Sequence, residues 1–228
     1  MSVLVVAAHP DDEVLGCGGT IARHAELGNK VHILILAEGA TSRDTVRDTA
    51  GRSREMEALQ SAAQRSAELL GAEPPRFAGF PDNRMDEVAL LDVIKTVEAV
   101  VGEVRPSIVY THHGGDLNVD HRIVHQAVVT ACRPLPETPV RSLYAFETVS
   151  STEWASETFG QSFRPTRFVD IATHLDRKLQ ALESYTSEMR SFPHPRSREN
   201  VVALARHRGA CAGIAAAEAF MVIREIVR

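Results

Sequence analysis

Short apolar runs alternate with longer amphipathic segments through the first two thirds of the chain. Residues 3–8 and 31–37 are almost uniformly apolar, which is typical of strands buried on both faces of a parallel sheet. Shorter runs at 76–80 and 107–111 predict two further strands. The segments between them predict helices over 16–27, over a long stretch that ends near Gly71, over 88–101 and over 119–131.

This alternation predicts a single α/β domain over residues 1–228, with three α/β/α layers and a mostly parallel, Rossmann-like sheet. Beyond residue 140 the pattern loosens. Residues 142–148 and 167–171 favour strands added at a sheet edge, and residues 172–189 favour a helix. The Ala-rich stretch 201–227 is predicted to be helical, with an interruption at Gly209 or Gly213.

Composition excludes several classes of protein. With 44% hydrophobic residues in 228, the chain can bury a sizeable core. The net charge is −5 and the basic residues are scattered, so we expect no nucleic-acid partner. The three cysteines form no CxxC pair, which argues against a disulfide framework or a cysteine zinc site. No run approaches the roughly 18 apolar residues of a membrane span, so a cytoplasmic protein is expected. The Ala-rich C-terminal stretch could pack internally or in a homo-oligomer.

Polar residues follow the first predicted strand directly. His9, Asp11, Asp12 and Glu13 lie at its carboxyl end, where ligands bind in open α/β sheets. In a turn favoured by Pro10, residues 9 and 12 can converge, and imidazole with carboxylate is a normal zinc ligand pair. The alternative is that the acids only cap the next helix.

A second polar stretch, THHGGDLNVDHRIVH, follows the predicted strand 107–111. A catalytic zinc typically takes three protein ligands and keeps one position for water, so a histidine of this stretch could complete the set. His121 and His125 have the spacing of HExxH, but Arg122 replaces the glutamate and argues against that pattern. His125 is better explained by packing.

Together the two stretches resemble the LmbE-like, or PIG-L, family of zinc-dependent N-acetylglucosaminyl deacetylases. The hallmark HPDDE sequence is found at residues 9–13, and a variant of HPDH at 118–121. Further similarity lies in an Arg-x-x-Glu helix start at 52–55, a Pro-Asp loop at 81–82 and an AEAF segment at 217–220, which we expect in the C-terminal helix.

The resemblance implies a metal-dependent hydrolase that removes the N-acetyl group from a small N-acetylglucosamine-type sugar conjugate. His9, Asp12 and His121 would bind Zn²⁺, although this ligand set also suits Fe²⁺. Asp11 would be the general base for a metal-activated water, and Asp120 would orient a histidine.

The resemblance also implies, more weakly, substrate contacts from Arg52 and Asp82, and His113 could line the same site. The chain departs from the family at Asn118, where many members have a histidine. Asparagine can donate a hydrogen bond to an oxyanion but cannot deliver a proton. Either Asn118 keeps only the electrostatic role, or His112, His113 or His194 supplies the acid.

Other activities are compatible with parts of this pattern. The main alternative is a metal-dependent hydratase, or another hydrolase of a small acidic substrate, on the same site. A magnesium-dependent phosphoryl-transfer enzyme agrees poorly with the histidines and with the lack of a phosphate-binding loop. A structural zinc site would be expected to have four protein ligands.

Overall fold

Seven strands form one sheet in the computed structural model, which describes residues 1–227. In chain order the strands are β1 (Ser2–Ala7), β2 (Lys30–Ala37), β3 (Arg76–Phe80), β4 (Ile108–His112), β5 (Ser142–Phe146), β6 (Arg167–Asp170) and β7 (Ala217–Glu225). The helices of eight or more residues are α1 (Asp12–Glu26), α2 (Ser53–Leu70), α3 (Leu90–Val104), α4 (Val119–Ala131), α5 (Leu175–Glu183) and α6 (Arg198–Ala212). No helix in this part of the chain is both long and apolar enough to cross a bilayer.

The sheet has the order β3-β2-β1-β4-β5-β7-β6. The first five of these strands run parallel, and β7 is antiparallel to both of its neighbours. Both faces of the sheet are covered: Val3 and Val5 of β1 point into one apolar core, and Leu4 and Val6 point into another. The predicted α/β class and the mostly parallel sheet are therefore confirmed.

Several helix boundaries follow from local chemistry. Helix α4 has the predicted bounds, and α2 ends where Gly71 takes the left-handed conformation, with φ of 77°. Helix α1 begins at Asp12, earlier than predicted, so Asp12 and Glu13 lie in its opening turn and Asp11 directly precedes it. Helix α5 is shorter than the predicted 172–189.

The prediction that residues 201–227 are helical is wrong in its second half. Helix α6 ends at Ala212, Gly213 takes a left-handed φ of 72°, and the AEAF segment begins strand β7. The high helix propensity of alanine is overridden because this segment pairs with β5 on one side and β6 on the other. Phe220 is fully buried there, with its ring centroid 5.0 Å from that of Tyr110.

A buried ion pair joins β7 to a break in α1. The backbone at Cys17 leaves the helical conformation, with φ −149° and ψ 26°. Lys178 donates to the Leu15 carbonyl at 2.9 Å and to Glu218 at 2.6 Å. The Glu218 carboxylate also accepts backbone N–H bonds from the two residues that restart the helix, Gly19 at 2.9 Å and Thr20 at 2.6 Å. The pair thus satisfies backbone groups that the break would leave unbonded.

Replacing Lys178 with methionine should lower the free energy of unfolding by about 3–5 kcal/mol, because Glu218 would remain buried without its cation. Urea denaturation measures the change. Lys95→Met is the matched control, since Lys95 pairs with Glu98 on the surface and such pairs contribute about 0–1 kcal/mol. Equal losses in the two variants would contradict a stabilising role for the buried pair.

Candidate metal centre

The two polar stretches of the sequence meet at one edge of the sheet. Strands β1 and β4 pair in parallel, with Val5 opposite Tyr110, so the loops that follow them leave the sheet side by side. One loop leads into α1 and the other into α4. As a result the imidazole rings of His9 and His121 lie 5.4 Å apart between centroids, although 111 residues separate them in the sequence.

Asp12 lies between these two histidines. Its Oδ2 atom is 3.2 Å from Nδ1 of His9 and 3.2 Å from Nε2 of His121. One potential ligand atom from each of the three residues falls within 4.8 Å of the others. The Asp12 and His121 side chains are buried, and that of His9 is 12% exposed. The three residues could therefore hold one metal ion.

A second group of potential ligands shares His9. Its Nε2 atom lies 3.0 Å from Asp120 and 3.3 Å from Asp82. These carboxylates already have hydrogen-bond donors: Asp120 accepts the backbone N–H groups of Asn83 at 2.7 Å and Met85 at 3.0 Å. Asp82 accepts the Ser42 backbone N–H at 3.1 Å and the Asn83 side-chain amide at 3.0 Å.

The first group fits a metal better than the second. Within residues 1–227, Asp12 Oδ1 and His121 Nε2 are buried without a hydrogen-bond partner. Burying such atoms unpaired is costly, and a divalent cation would satisfy both. Burial by itself would raise the pKa of Asp12, but the His121 imidazole holds this pKa well below its ordinary value. Burial opposes protonation of His9, yet its contacts with Asp12 and Asp120 raise its pKa.

Asp116 fixes the orientation of His121, a role that the sequence did not reveal. Its Oδ1 atom lies 3.0 Å from Nδ1 of His121, and its other oxygen accepts a 2.6 Å hydrogen bond from Thr152. Ser151 also donates to this carboxylate. Burial works against the charged form of Asp116, but these hydrogen bonds lower its pKa. In the neutral imidazole that donates Nδ1–H to Asp116, the Nε2 lone pair faces Asp12, as in carboxylate–histidine–metal arrangements.

Asp11 lies beside this group in an unusual backbone conformation, with φ of 108°. Its Oδ2 atom accepts a 2.8 Å hydrogen bond from Arg196, which also donates to Ser150 at 2.9 Å. Its Oδ1 atom is buried without a partner in the described part of the chain. Burial raises the pKa of Asp11 well above its ordinary value, against the opposing effect of the Arg196 guanidinium.

Glu13 anchors the turn. Its carboxylate accepts the Asp11 backbone N–H at 3.1 Å and a hydrogen bond from the Tyr185 hydroxyl. Burial raises the pKa of Glu13 to about 7. Within residues 1–227, the Asp11 side chain makes no capping hydrogen bond. Asp11, Asp12 and Glu13 each have different partners, so these acids do more than cap a helix.

The other histidines of the second stretch have packing and hydrogen-bonding roles. His112 accepts the Ala8 backbone N–H at 2.9 Å and stacks on the His121 ring at 3.9 Å. His113 Nε2 lies 2.7 Å from the Gln161 carbonyl oxygen, so its ring points to that loop. His125 Nδ1 lies 2.8 Å from the His112 carbonyl, as a packing role predicts.

The remaining predicted site residues lie at different distances from the metal group. Asp82 and Asp120 contact His9 directly. Asn118 caps α4, because its Oδ1 accepts the Asp120 backbone N–H at 2.9 Å. Its amide also donates to the Asn83 side chain at 2.7 Å. Arg52 pairs with Asp44 through two 2.7 Å hydrogen bonds, and with Glu55.

Two curated proteins and one solved structure show what the chain is similar to. It is 30% identical to the uncharacterized deacetylase YaiS of Escherichia coli (strain K12), over 81% of this chain and 90% of that protein. It is 28% identical to a probable N-acetyl-alpha-D-glucosaminyl L-malate deacetylase 2 of Bacillus cereus, over 82% and 83% of the two chains. The crystal structure of GalB, the 4-carboxy-2-hydroxymuconate hydratase of Pseudomonas putida KT2440, superposes with a TM-score of 0.79 at 27% identity, covering 100% of this chain and 98% of that one.

A family model described as PIG-L: GlcNAc-PI de-N-acetylase matches residues 4–132. The match extends over more than half of the chain and contains both polar stretches, from His9 to His121. The chain therefore belongs to the PIG-L family.

Proposed function

We propose that the protein is a metal-dependent amidohydrolase that removes the N-acetyl group from an N-acetylglucosamine-type sugar conjugate. The observation that carries this proposal is the convergence of His9, Asp12 and His121, with the carboxylate of Asp11 beside them. Three ligands and an adjacent base are the composition of a hydrolytic metal site, since a structural site would use a fourth protein ligand.

Family membership and the named relatives support the substrate class. The family description and the Bacillus cereus relative both name an N-acetylated glucosamine group, and the Escherichia coli relative is named a deacetylase. The substrate of this chain is thus proposed to be a small molecule in which such a sugar is linked to a further group.

His9, Asp12 and His121 would hold Zn²⁺ or Fe²⁺, since two nitrogens and one carboxylate oxygen suit both ions. When bound, a cation of this kind polarises an amide carbonyl and makes water more acidic. Asp116 would keep His121 in the tautomer that presents Nε2, and Asp120 would restrain His9 from the other side.

Asp11 would act as the general base. Its Oδ1 atom has no hydrogen-bond partner in the described residues and so can accept a proton from the attacking water. Arg196 would hold the other oxygen and prevent the carboxylate from rotating away. The same proton can then pass from Asp11 to the leaving amine, which yields acetate and a free amino sugar. Because Asp11 can serve as both base and acid, the asparagine at position 118 does not interrupt the reaction.

Asn118 would contribute only hydrogen bonding. One N–H of its side-chain amide is directed at Asn83, and the amide carries a second N–H that can donate to a developing oxyanion. Asp82 contacts His9 and would accept a hydrogen bond from a sugar hydroxyl. Contacts of Arg52 and His113 with the substrate stay predictions.

A second candidate function is favoured by one observation. The hydratase GalB covers the whole chain at a TM-score of 0.79. The same residues could therefore activate water for addition to a small acidic substrate, with Arg196 able to pair with a carboxylate.

A substrate screen separates the two candidates. The zinc-loaded protein should release acetate from N-acetylglucosamine conjugates, measured with a coupled acetate assay. It should leave the ultraviolet absorbance of 4-carboxy-2-hydroxymuconate unchanged. Loss of that absorbance without acetate release from any conjugate would favour the hydratase and contradict the deacetylase.

Replacing Asp11 with asparagine should lower the turnover number by about 10²–10⁴-fold, because the amide cannot accept the proton of the attacking water. Zinc content, measured by elemental analysis, should stay at the wild-type value since Asp11 is not a proposed ligand. Asp176→Asn, an exposed carboxylate on α5, is the matched control and should keep full turnover. Near-normal turnover of the Asp11 variant would refute the base assignment.

A further inference from the structure

The chain has a single tryptophan, Trp154, and its side chain is largely exposed two residues after Thr152, whose hydroxyl donates to Asp116. The residue is 53% exposed, although tryptophan has one of the largest apolar side-chain surfaces. It ends a short 3₁₀ turn, Thr152–Trp154, after strand β5. Its ring makes a T-shaped contact with the His194 imidazole, with centroids 6.3 Å apart and planes at 82°.

Both rings are carried by loops that are fixed to the candidate site. On the tryptophan side, Ser151 and Thr152 donate to Asp116, the carboxylate that orients His121. The turn that carries Trp154 is therefore held in a defined position relative to Asp116 and the metal group.

The histidine side is fixed in the same way. The Arg196 backbone N–H donates to His194 Nδ1 at 3.1 Å, and the Arg196 guanidinium donates to Asp11. The negative charge of Glu153, next to Trp154 in the chain, also raises the pKa of Arg196, although Asp11 is the larger cause. The loop that carries His194 is thus bonded to Asp11, beside the metal group.

A cavity of about 380 Å³ lies along the same two loops. Glu153, the neighbour of Trp154, and Pro195, the neighbour of His194, both line it, and Val149, Ala203 and Leu204 give it apolar walls. Its size is within the range of small-molecule sites. Trp154 and His194 are chain neighbours of lining residues and do not line the cavity themselves, so the exposed indole is a separate surface that a flat, partly apolar ligand could cover.

We propose that the exposed indole of Trp154, supported by its T-shaped contact with His194, forms a stacking platform for a sugar ring of the substrate. The inference rests on the proposed function, because it places the ring on the rim while the acetamide lies at His9, Asp12 and His121. The apolar C–H face of a pyranose matches the face of the indole, and its hydroxyl groups remain at the ring edge in contact with water. The platform would select conjugates with a ring over acyclic N-acetyl compounds.

The tryptophan itself reports on this binding. In a fluorescence titration of the zinc-loaded Asp11→Asn variant, which limits turnover, excitation at a wavelength that tyrosine does not absorb makes the chain's single tryptophan, Trp154, the source of the emission. N-acetylglucosamine or N,N'-diacetylchitobiose should produce a saturable change, whereas N-acetylethanolamine, an acyclic amide, should produce none. An emission spectrum that responds to neither sugar would overturn the platform.

Steady-state kinetics give an independent readout. Trp154→Ala should raise KM for the sugar substrate about tenfold and leave kcat nearly unchanged, because stacking contributes to binding and not to the chemical step. Trp154→Phe should restore most of the affinity. Leu135→Ala removes a similarly exposed apolar side chain on the loop after α4 and is the matched control.

The outcomes distinguish this inference from the proposed function. Acetate release by the wild type together with an unchanged KM in Trp154→Ala would refute the platform but still support the proposed deacetylase activity. A fall in kcat without a rise in KM would also refute it, since it would mark a structural role. No acetate release from any conjugate by the wild type would contradict the proposed function itself.

Discussion

The parallel pairing of β1 with β4 places two polar loops side by side at the same edge of the sheet. The proposed chemistry of the protein depends on the proximity of these two loops. One loop brings His9, Asp11 and Asp12, and the other brings Asp116 and His121. The side chains of Asp11, Asp12, Asp116 and His121 are buried, so their carboxylates lose most of their hydration. Each charge therefore needs a partner within the protein or an ion bound to it.

Most of these partners can be named. Asp116 binds His121, Asp11 binds Arg196 and Glu13 binds Tyr185. The atoms without partners in residues 1–227 include Asp12 Oδ1, His121 Nε2 and Asp11 Oδ1, which belong to the proposed ligands and the proposed base. A site that satisfies its supporting groups and leaves its reactive groups unpaired is typical of metal-dependent hydrolysis.

The sequence predicted those features that depend on local pattern. Uniformly apolar runs indicated β1 and β2, amphipathic periodicity indicated α3, and the two polar stretches were expected at neighbouring strand ends. Predictions failed where distant contacts decide the structure. The segment 217–225 was predicted to be helical as the end of the Ala-rich stretch 201–227, but pairing with β5 and β6 makes it a strand.

The same limit applies to the supporting residues of the site. The contacts of Arg196 and Tyr185 with the first cluster span 185 and 172 residues, so no spacing in the sequence points to them. Asp116 is closer, five residues before His121 in a glycine-containing loop. An acid at that distance is a sequence signal from which its contact with His121 could have been predicted. Sequence pattern thus located the candidate ligands, and the fold identified what orients them.

The location of the metal tests this account most directly. Anomalous diffraction at the zinc absorption edge, from crystals of the zinc-loaded protein, would place the ion without reference to activity. The account predicts one strong peak within bonding distance of His9, Asp12 and His121, with Asp11 close by but not bound. A peak held by Asp82 and Asp120, with His121 free, would contradict it.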